Sequence, residues 1–552
     1  MKPRLLAPLL FLATLALYLY TLQPSLAWGD GIRLQHEAIT AESFILDELV
    51  DVQFAPDPFP FARVGVAAWD HPLYIYLGHT LVRLLPALDP LWVVNAVSAL
   101  FAAGAIALLF LVFYEAMASR DGALFGALAL AVSHTFWWHT VTPEVYSLFT
   151  FLLLLVLLFY ARYERNGKPR TLALALFALG LGAANHLLAL LALPAWLLYR
   201  VIGSDAHARL ALTPSLALPR VTAPPWRRLL LYAVAFLLGF SPYLVQFLRL
   251  LRTFPLGELL GPAAGATFVE GSLALTPAAL AASFVSYLTF LFYQFTPVGV
   301  LLGLYGFWRG RRVDAGLWRK TVALYLVYFL FGLVYRVTDQ FAFFLGAHVI
   351  WALAMGLGVT LLQRLSAPVR RWLAAILGAI LLLTPLLYQV APGLLRAVGI
   401  DDRAFGVPQI GTGVRDGLAY YLTPNKRGDT TAYRFGHDTL AALPPHALIL
   451  AHMYSDTDEY FVFRYLTEVE KMRPDVELVG WPTEDPFDFD PTLATELIAA
   501  RLPAQPIYLA SLSDDYYAAG TLVRDYCVVL ESNLYRLYPR DGAHGDCIEE
   551  VQ

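Results

Sequence analysis

Cysteine is nearly absent from this 552-residue chain, and charge is scarce. The two cysteines, Cys527 and Cys547, stand near the C-terminus without CxxC or Cys/His spacing, which excludes a zinc ribbon or a thioredoxin-like redox motif. Charged residues make up 15% of the chain, against about 25% in an ordinary soluble domain. No basic tract occurs, so no nucleic-acid partner is expected. A phosphate-cradling GxGxxG or GKS/T loop is missing as well, and no helical repeat period is visible.

What the chain has instead is apolar length, with 58% hydrophobic residues. Eleven apolar stretches, from 5–22 through 90–113, 121–135, 147–161, 171–184, 187–202, 229–247, 283–307, 321–335 and 346–363 to 372–390, approach or reach the roughly 17–25 residues that span a bilayer. The first reads as an uncleaved anchor, because bulky "LYLYTLQ" follows where a signal sequence would end. A polytopic α-helical membrane protein of about eleven spans is therefore expected over residues 1–390.

Basic residues orient it. With the N-terminus inside, the inner segments hold 20 Lys and Arg and the outer loops up to residue 345 hold six, as cytoplasmic loops do. An odd span count then places 391–552 outside the cytoplasm. There, "HALILAHM", "VELVGW" and "PIYLASL" read as strands and "DEYFVFRYLTEVEKM" as an amphipathic helix between the first two, which predicts a small soluble α/β domain. In an extracytoplasmic setting, Cys527 and Cys547 are expected to pair; two inert thiols are the alternative. Arginine far outnumbers lysine, and Ala, Leu and Pro are abundant, which points to a bacterial plasma membrane.

On this topology the unusual polar residues collect on the outer face. The first outer loop, 23–89, begins "WGDGIRLQHE": Asp30 sits between two glycines that permit a tight turn and close approach of a ligand, with Arg33 one turn on. Most other acids of this loop, Asp47, Glu48, Asp51 and Asp57 among them, read as solvated surface. His71 and Pro72 open "HPLYIYLGHTLVRLLP", which has the character of an interfacial helix. Glu144 and Tyr146 follow in "SHTFWWHTVTPEVYS", Asn185 and His186 in "ANHLL", Arg336 and Asp339 in "YRVTDQFAFF". Ionisable groups at membrane edges are functional candidates because burying them unpaired costs several kcal/mol. Each also has a plainer reading: Glu144 as a helix-start acid after Pro143, His186 as a packing residue, Asp339 as the partner of Arg336 across one helical turn, "GDG" as a turn alone.

The order of "TLQPSLAWGD", "HPLYIYLG", "VNAVSAL", "SHTFWWHTVTPEVYSL", "GLGAANHLLALLALP" and "DQFAFFLGAHVIWALAMGLG", followed by "YFVFRYLTEVEKMRPDVELV", resembles the membrane family of unknown function 2723, which includes the eukaryotic transmembrane protein 260 O-mannosyltransferases. The resemblance implies a GT-C type glycosyltransferase that takes sugar from a polyprenyl-phosphate sugar at the outer face. It carries an acceptor-serving acid onto Asp30, and the family's motifs onto His71 and Pro72, Glu144 and Tyr146, and Asn185 and His186. One position departs from it: many relatives place an acid where this chain has Arg33.

These residues can support an inverting transfer, with one carboxylate as base and cations for the departing phosphate. Asp30 suits the base. Arg33, His71 and Arg336 suit the phosphate, arginine by a bidentate grip, and Glu144 suits an orienting role or a ligand for magnesium or manganese. The expected partners are the lipid-linked donor, membrane lipid, and a protein or glycan acceptor, with protein Ser/Thr favoured. A transporter or flippase would instead carry midplane charges and broken helices in paired repeats, and a scaffold would leave the one-sided clustering of Asp30, His71, Glu144 and His186 without a cause.

Overall fold

The computed structural model describes residues 3–42, 70–203, 226–252, 254–263, 272–337, 339–401, 416–451, 459–480, 491–512, 517–540 and 547–549. Asp47, Glu48, Asp51 and Asp57 lie outside them. The chain divides into two compact units. One comprises Met1–Leu22, Val64–Leu77 and Ala96–Tyr388, the other Gln23–Arg63, Gly78–Asn95 and Gln389–Gln552.

All eleven apolar stretches are helical. Seven described helices are long and apolar enough to cross a membrane: Pro90–Met117, Tyr146–Asn166, Trp226–Leu250, Pro277–Arg312, Ala315–Val334, Leu345–Leu362 and Ala367–Ala397. Among the described residues, seven of the eleven expected spans meet that length and composition, and the other four lie on shorter helices. Arg120–Ala131, for example, has 12 residues, and at about 1.5 Å rise per residue it is too short for a ~30 Å hydrocarbon layer. Leu5–Tyr20 and Leu187–Tyr199 are shorter apolar helices. The chain is a multi-pass membrane protein.

In the first unit, helices approach at small residues. A Cβ on Gly180 would overlap the Phe236 carbonyl and one on Gly239 the Phe177 carbonyl, so the Pro169–Asn185 and Trp226–Leu250 helices pack backbone against backbone. Between lipid-soluble helices, this contact replaces the hydrophobic drive that water would provide. The long Pro277–Arg309 helix is kinked where Thr296 takes φ 59° just before Pro297, whose ring cannot continue the ladder.

The second unit contains a five-stranded sheet in the order β2-β1-β3-β5-β4, where β1 is Leu448–Leu450, β2 Glu477–Val479, β3 Ile507–Leu509, β4 Tyr526–Glu531 and β5 Leu534–Pro539. β1 pairs in parallel with β2 and β3, and β5 runs antiparallel to β3 and β4. Fully buried β1 and β3 read as short apolar runs, as parallel strands do. Their core joins Leu448, Leu450, Ile498, Ile507, Leu522 and Val528. The β4–β5 hairpin was not expected; it turns on Ser532 and Asn533, both at positive φ, the backbone of a tight two-residue hairpin loop. Cys527 on β4 is disulfide-bonded to Cys547, with Cα atoms 5.1 Å apart. The stretch expected as one amphipathic helix is a fully buried helix, Glu459–Arg464, continued by a wide turn, Tyr465–Val469.

Candidate active site

Each unit gathers some of the expected residues. In the first unit the His71 Nδ1–H donates to the Asn185 carbonyl at 2.7 Å, and the His71 and His186 rings stack with centroids 5.2 Å apart. Asn185, fully buried at the end of its helix, donates to the Val145 carbonyl at 3.0 Å. That bond ties "NH" to "EVY". Tyr146 then stands beside His186, ring centroids 5.5 Å apart.

Glu144 lies outside the helix it was expected to cap, since that helix starts at Tyr146 with Val145 before it. Its backbone is pinned by one side chain: Ser98 Oγ accepts from the Glu144 N–H and pairs with its carbonyl, both at 3.0 Å. Ser98 in turn meets the Tyr74 hydroxyl at 2.9 Å. Neither Tyr74 nor Ser98 was a sequence candidate, though both fall within quoted motifs.

The imidazoles are set by their bonds. His186 Nδ1 accepts the Leu188 N–H at 3.1 Å, so its proton sits on Nε2. Burial pushes the His186 pKa down to about 4, and a neutral ring is a hydrogen-bond donor without charge. His139, also missed, has its ring 4.8 Å from that of Tyr146, and burial pushes its pKa down to about 4 while the bond to the Thr135 carbonyl opposes this. "WWHT" was the available signal for it.

Arg336 and Asp339 do not share a helical turn. The helix before them ends at Val334, Tyr335 bridges to Leu273, and a new helix opens at Gln340. Buried Gln340 holds this break by donating to Ser283 Oγ, Gly332 O and Tyr335 O at 2.8, 2.9 and 3.1 Å. Arg336 is exposed. From the same segment, Phe343 reaches the cluster, its ring 6.0 Å from His186 and 5.9 Å from Tyr146.

Asp30 and Arg33 belong to the second unit. "GDG" is the start of a helix, Asp30–Thr40, where a turn was expected. Gly29 supplies the φ of 66° and ψ of −151° that begin it, a backbone that other residues avoid. Asp30 is exposed at the first helical position, where the partial positive charge of the helix end favours an anion. Arg33, expected to grip phosphate, is 4% exposed.

The helix buries polar Arg33, Gln35, His36 and Glu37 beside apolar Ile32, Leu34 and Ala38, where a surface helix would keep its polar residues outward. Gln35 Oε1 accepts the Ala27 N–H at 2.9 Å, and its Nε2 donates to Ser25 O at 3.2 Å and Asn95 Oδ1 at 2.8 Å. Asn95 closes the clamp by donating to Gln23 O at 2.9 Å. Trp28 Nε1 donates to Thr431 Oγ1 at 3.0 Å. Among the described residues no three His, Cys, Asp or Glu are grouped to hold a metal ion.

Residues 70–208 match the family described as the protein O-mannosyl-transferase TMEM260 N-terminal domain. No curated protein matches the chain by sequence. Among solved structures, ArnT from Cupriavidus metallidurans bound to undecaprenyl phosphate aligns over 96% of this chain and 97% of its own, at 13% identity and a TM-score of 0.56. Its apo form aligns over the same shares at 15% identity and the same TM-score. The Archaeoglobus fulgidus oligosaccharyltransferase aligns over 90% of this chain and 69% of its own, at 11% identity and a TM-score of 0.45.

Proposed function

We propose that this membrane protein, whose residues 70–208 match the TMEM260 O-mannosyl-transferase domain and whose fold is that of the GT-C glycosyltransferase ArnT, transfers mannose from a polyprenyl-phosphate donor to an acceptor hydroxyl, with protein Ser or Thr the favoured acceptor. Family match and fold agree on a glycosyltransferase. The donor class is supported by the undecaprenyl phosphate named with ArnT, the sugar by the family's description. One observation carries the choice of base: Asp30 is an exposed carboxylate at the head of a helix whose following residues, Gly31 to Ala38, are buried.

In this reading the Asp30 carboxylate takes the proton of the acceptor hydroxyl as its oxygen bonds to the anomeric carbon. The bond from that carbon to the phosphate oxygen breaks with its electron pair, and polyprenyl phosphate leaves. Neutral His186, its Nδ1 occupied by the Leu188 N–H, supplies its Nε2–H to a phosphate or sugar oxygen; His71, stacked on it with its Nδ1–H given to the Asn185 carbonyl, offers Nε2 as the acceptor for a sugar hydroxyl, and exposed Arg336 supplies charge. Glu144, its backbone fixed by Ser98, orients the sugar. The Lys/Arg asymmetry supports a cytoplasmic N-terminus and an extracytoplasmic α/β domain spanning 391–552. Mass spectrometry of surface proteins and glycolipids from cells with and without the chain tests the function. Loss of a mannose from Ser/Thr glycopeptides is expected, and unchanged glycans on both proteins and lipids contradict it.

A further inference from the structure

We propose that Glu468, on the wide turn Tyr465–Val469, is a positioning residue for the helix that carries Asp30. The proposal rests on the reading of Asp30 as the base. The Asp30–Thr40 helix has eleven residues and no side-chain cap at its N-terminus, and isolated helices of that length are marginal in water. Its rotational setting therefore comes from its neighbours, the Glu459–Arg464 helix and the wide turn after it, against which it packs. A slip of one residue would swing each side chain by about 100° around the axis, which suffices to aim a base away from its substrate.

The turn itself is unusual. The Glu470 N–H donates to the Tyr465 carbonyl at 3.3 Å, five residues back, which makes it π-helical, and such turns are rare and gather at functional sites. Glu468 there joins two partners: Arg464 Nε donates to Glu468 Oε1 at 2.9 Å, and His36 Nε2 lies 3.5 Å from Glu468 Oε2. His36 and Arg464 are both buried. Burial pushes the Glu468 carboxyl up, but the His36 hydrogen bond and the Arg464 charge outweigh it and hold the group below its ordinary range. With Gln35 clamped on residues 23–27 and His36 on Glu468, successive residues of the helix are tied to different neighbours, and rotation would break one tie or the other. The C-terminal segment is on this view part of the transfer machinery.

The test uses the full chain in detergent with radiolabelled polyprenyl-phosphate mannose and a Ser/Thr peptide. Glu468→Ala is expected to lower kcat by about 10- to 100-fold, with donor KM within about twofold and the melting temperature nearly unchanged; Glu468→Gln, which keeps one acceptor oxygen, falls between. A second readout is independent of activity. Because Cys527 and Cys547 are bonded to each other, a spin label on Asp30→Cys reports only the helix start, and Glu468→Ala should make it more mobile. Wild-type kcat and unchanged label mobility in Glu468→Ala overturn the positioning proposal, while an inactive Asp30→Asn in the same assay leaves the base assignment standing. An active Asp30→Asn overturns the base assignment, and label mobility still decides whether Glu468 holds the helix. Should Glu468→Ala fail to fold, Glu468→Gln carries the same comparison, and wild-type values in it overturn the proposal.

Discussion

Two buried helices, one in each unit, are held in opposite ways. Leu345–Leu362 is apolar and buried on nearly every side, and Trp351, Met355 and Leu357 fill space around Gly299, Gly303 and Gly310. Asp30–Thr40 is equally enclosed, yet Arg33, Gln35, His36 and Glu37 are among its buried residues. The first is set by shape and tolerates similar shapes. The second is set by named donors and acceptors, so a single substitution there strands its partners.

Breaking the polar helix should have the larger effect. Gln35→Ala removes three hydrogen bonds and leaves the Ala27 N–H and Asn95 Oδ1 without this partner. At about 1–3 kcal/mol per stranded buried group, it should cost on the order of 3 kcal/mol or more, seen as a lower melting temperature of the detergent-purified chain. Leu353→Ala in the apolar helix should cost less than the roughly 2–5 kcal/mol of a water-soluble core, because lipid removes most of the transfer component and leaves mainly packing. Equal losses from the two variants would erase the distinction.

Acid should sharpen it in the first unit. His139 and His186 have pKa values of about 4 in the folded chain against 6.5 ordinarily. The unfolded chain therefore binds more protons between those values, and stability falls as pH drops from about 6.5 to about 4. The contribution of Glu468, whose carboxyl is held below its ordinary 4.5, is full above that value and is lost as pH falls from it through the lowered one. His139→Gln should flatten the fall between pH 6.5 and 4; a melting temperature independent of pH across that window would count against neutral, buried imidazoles.

Smaller effects lie on the sheet. Asn533 sits at φ 66°, so Asn533→Ala should cost about 1–2 kcal/mol for its left-handed backbone, while Asn533→Gly stays nearer wild type despite losing the bond to Thr439. The exposed Arg501–Glu477 pair, 3.4 Å apart, should contribute less than about 1 kcal/mol, and Arg501→Ala measures it.

The same contrast explains what was legible in the sequence. Each of the eleven apolar stretches is a helix because lipid forces backbone hydrogen bonds to close within a segment; among the described residues seven lie on helices long enough to span alone and four on shorter ones. β1 to β3 were readable as apolar runs, whereas β4–β5 hides behind "ESNLY", whose Ser-Asn pair lacks the glycine that usually flags a hairpin. The first-unit cluster was readable in part, since "NH", "HP" and "EVY" do converge through Asn185 and His71. Ser98 was not, as it acts through a tertiary contact that no spacing records, and His139 was passed over although "WWHT" displayed it. "GDG", whose plainer reading was a turn alone, opens a helix for a related reason: that helix is tied by contacts to residues 25, 27, 79, 95 and 468, which no spacing records.

The central claim is that the exposed acid at the head of this polar helix is the base. Asp30→Asn, purified as the full chain and given polyprenyl-phosphate mannose and a Ser/Thr peptide, measures it most directly. A fall in kcat of at least about 10²-fold with unchanged melting temperature is predicted; turnover near that of the wild type would contradict the account.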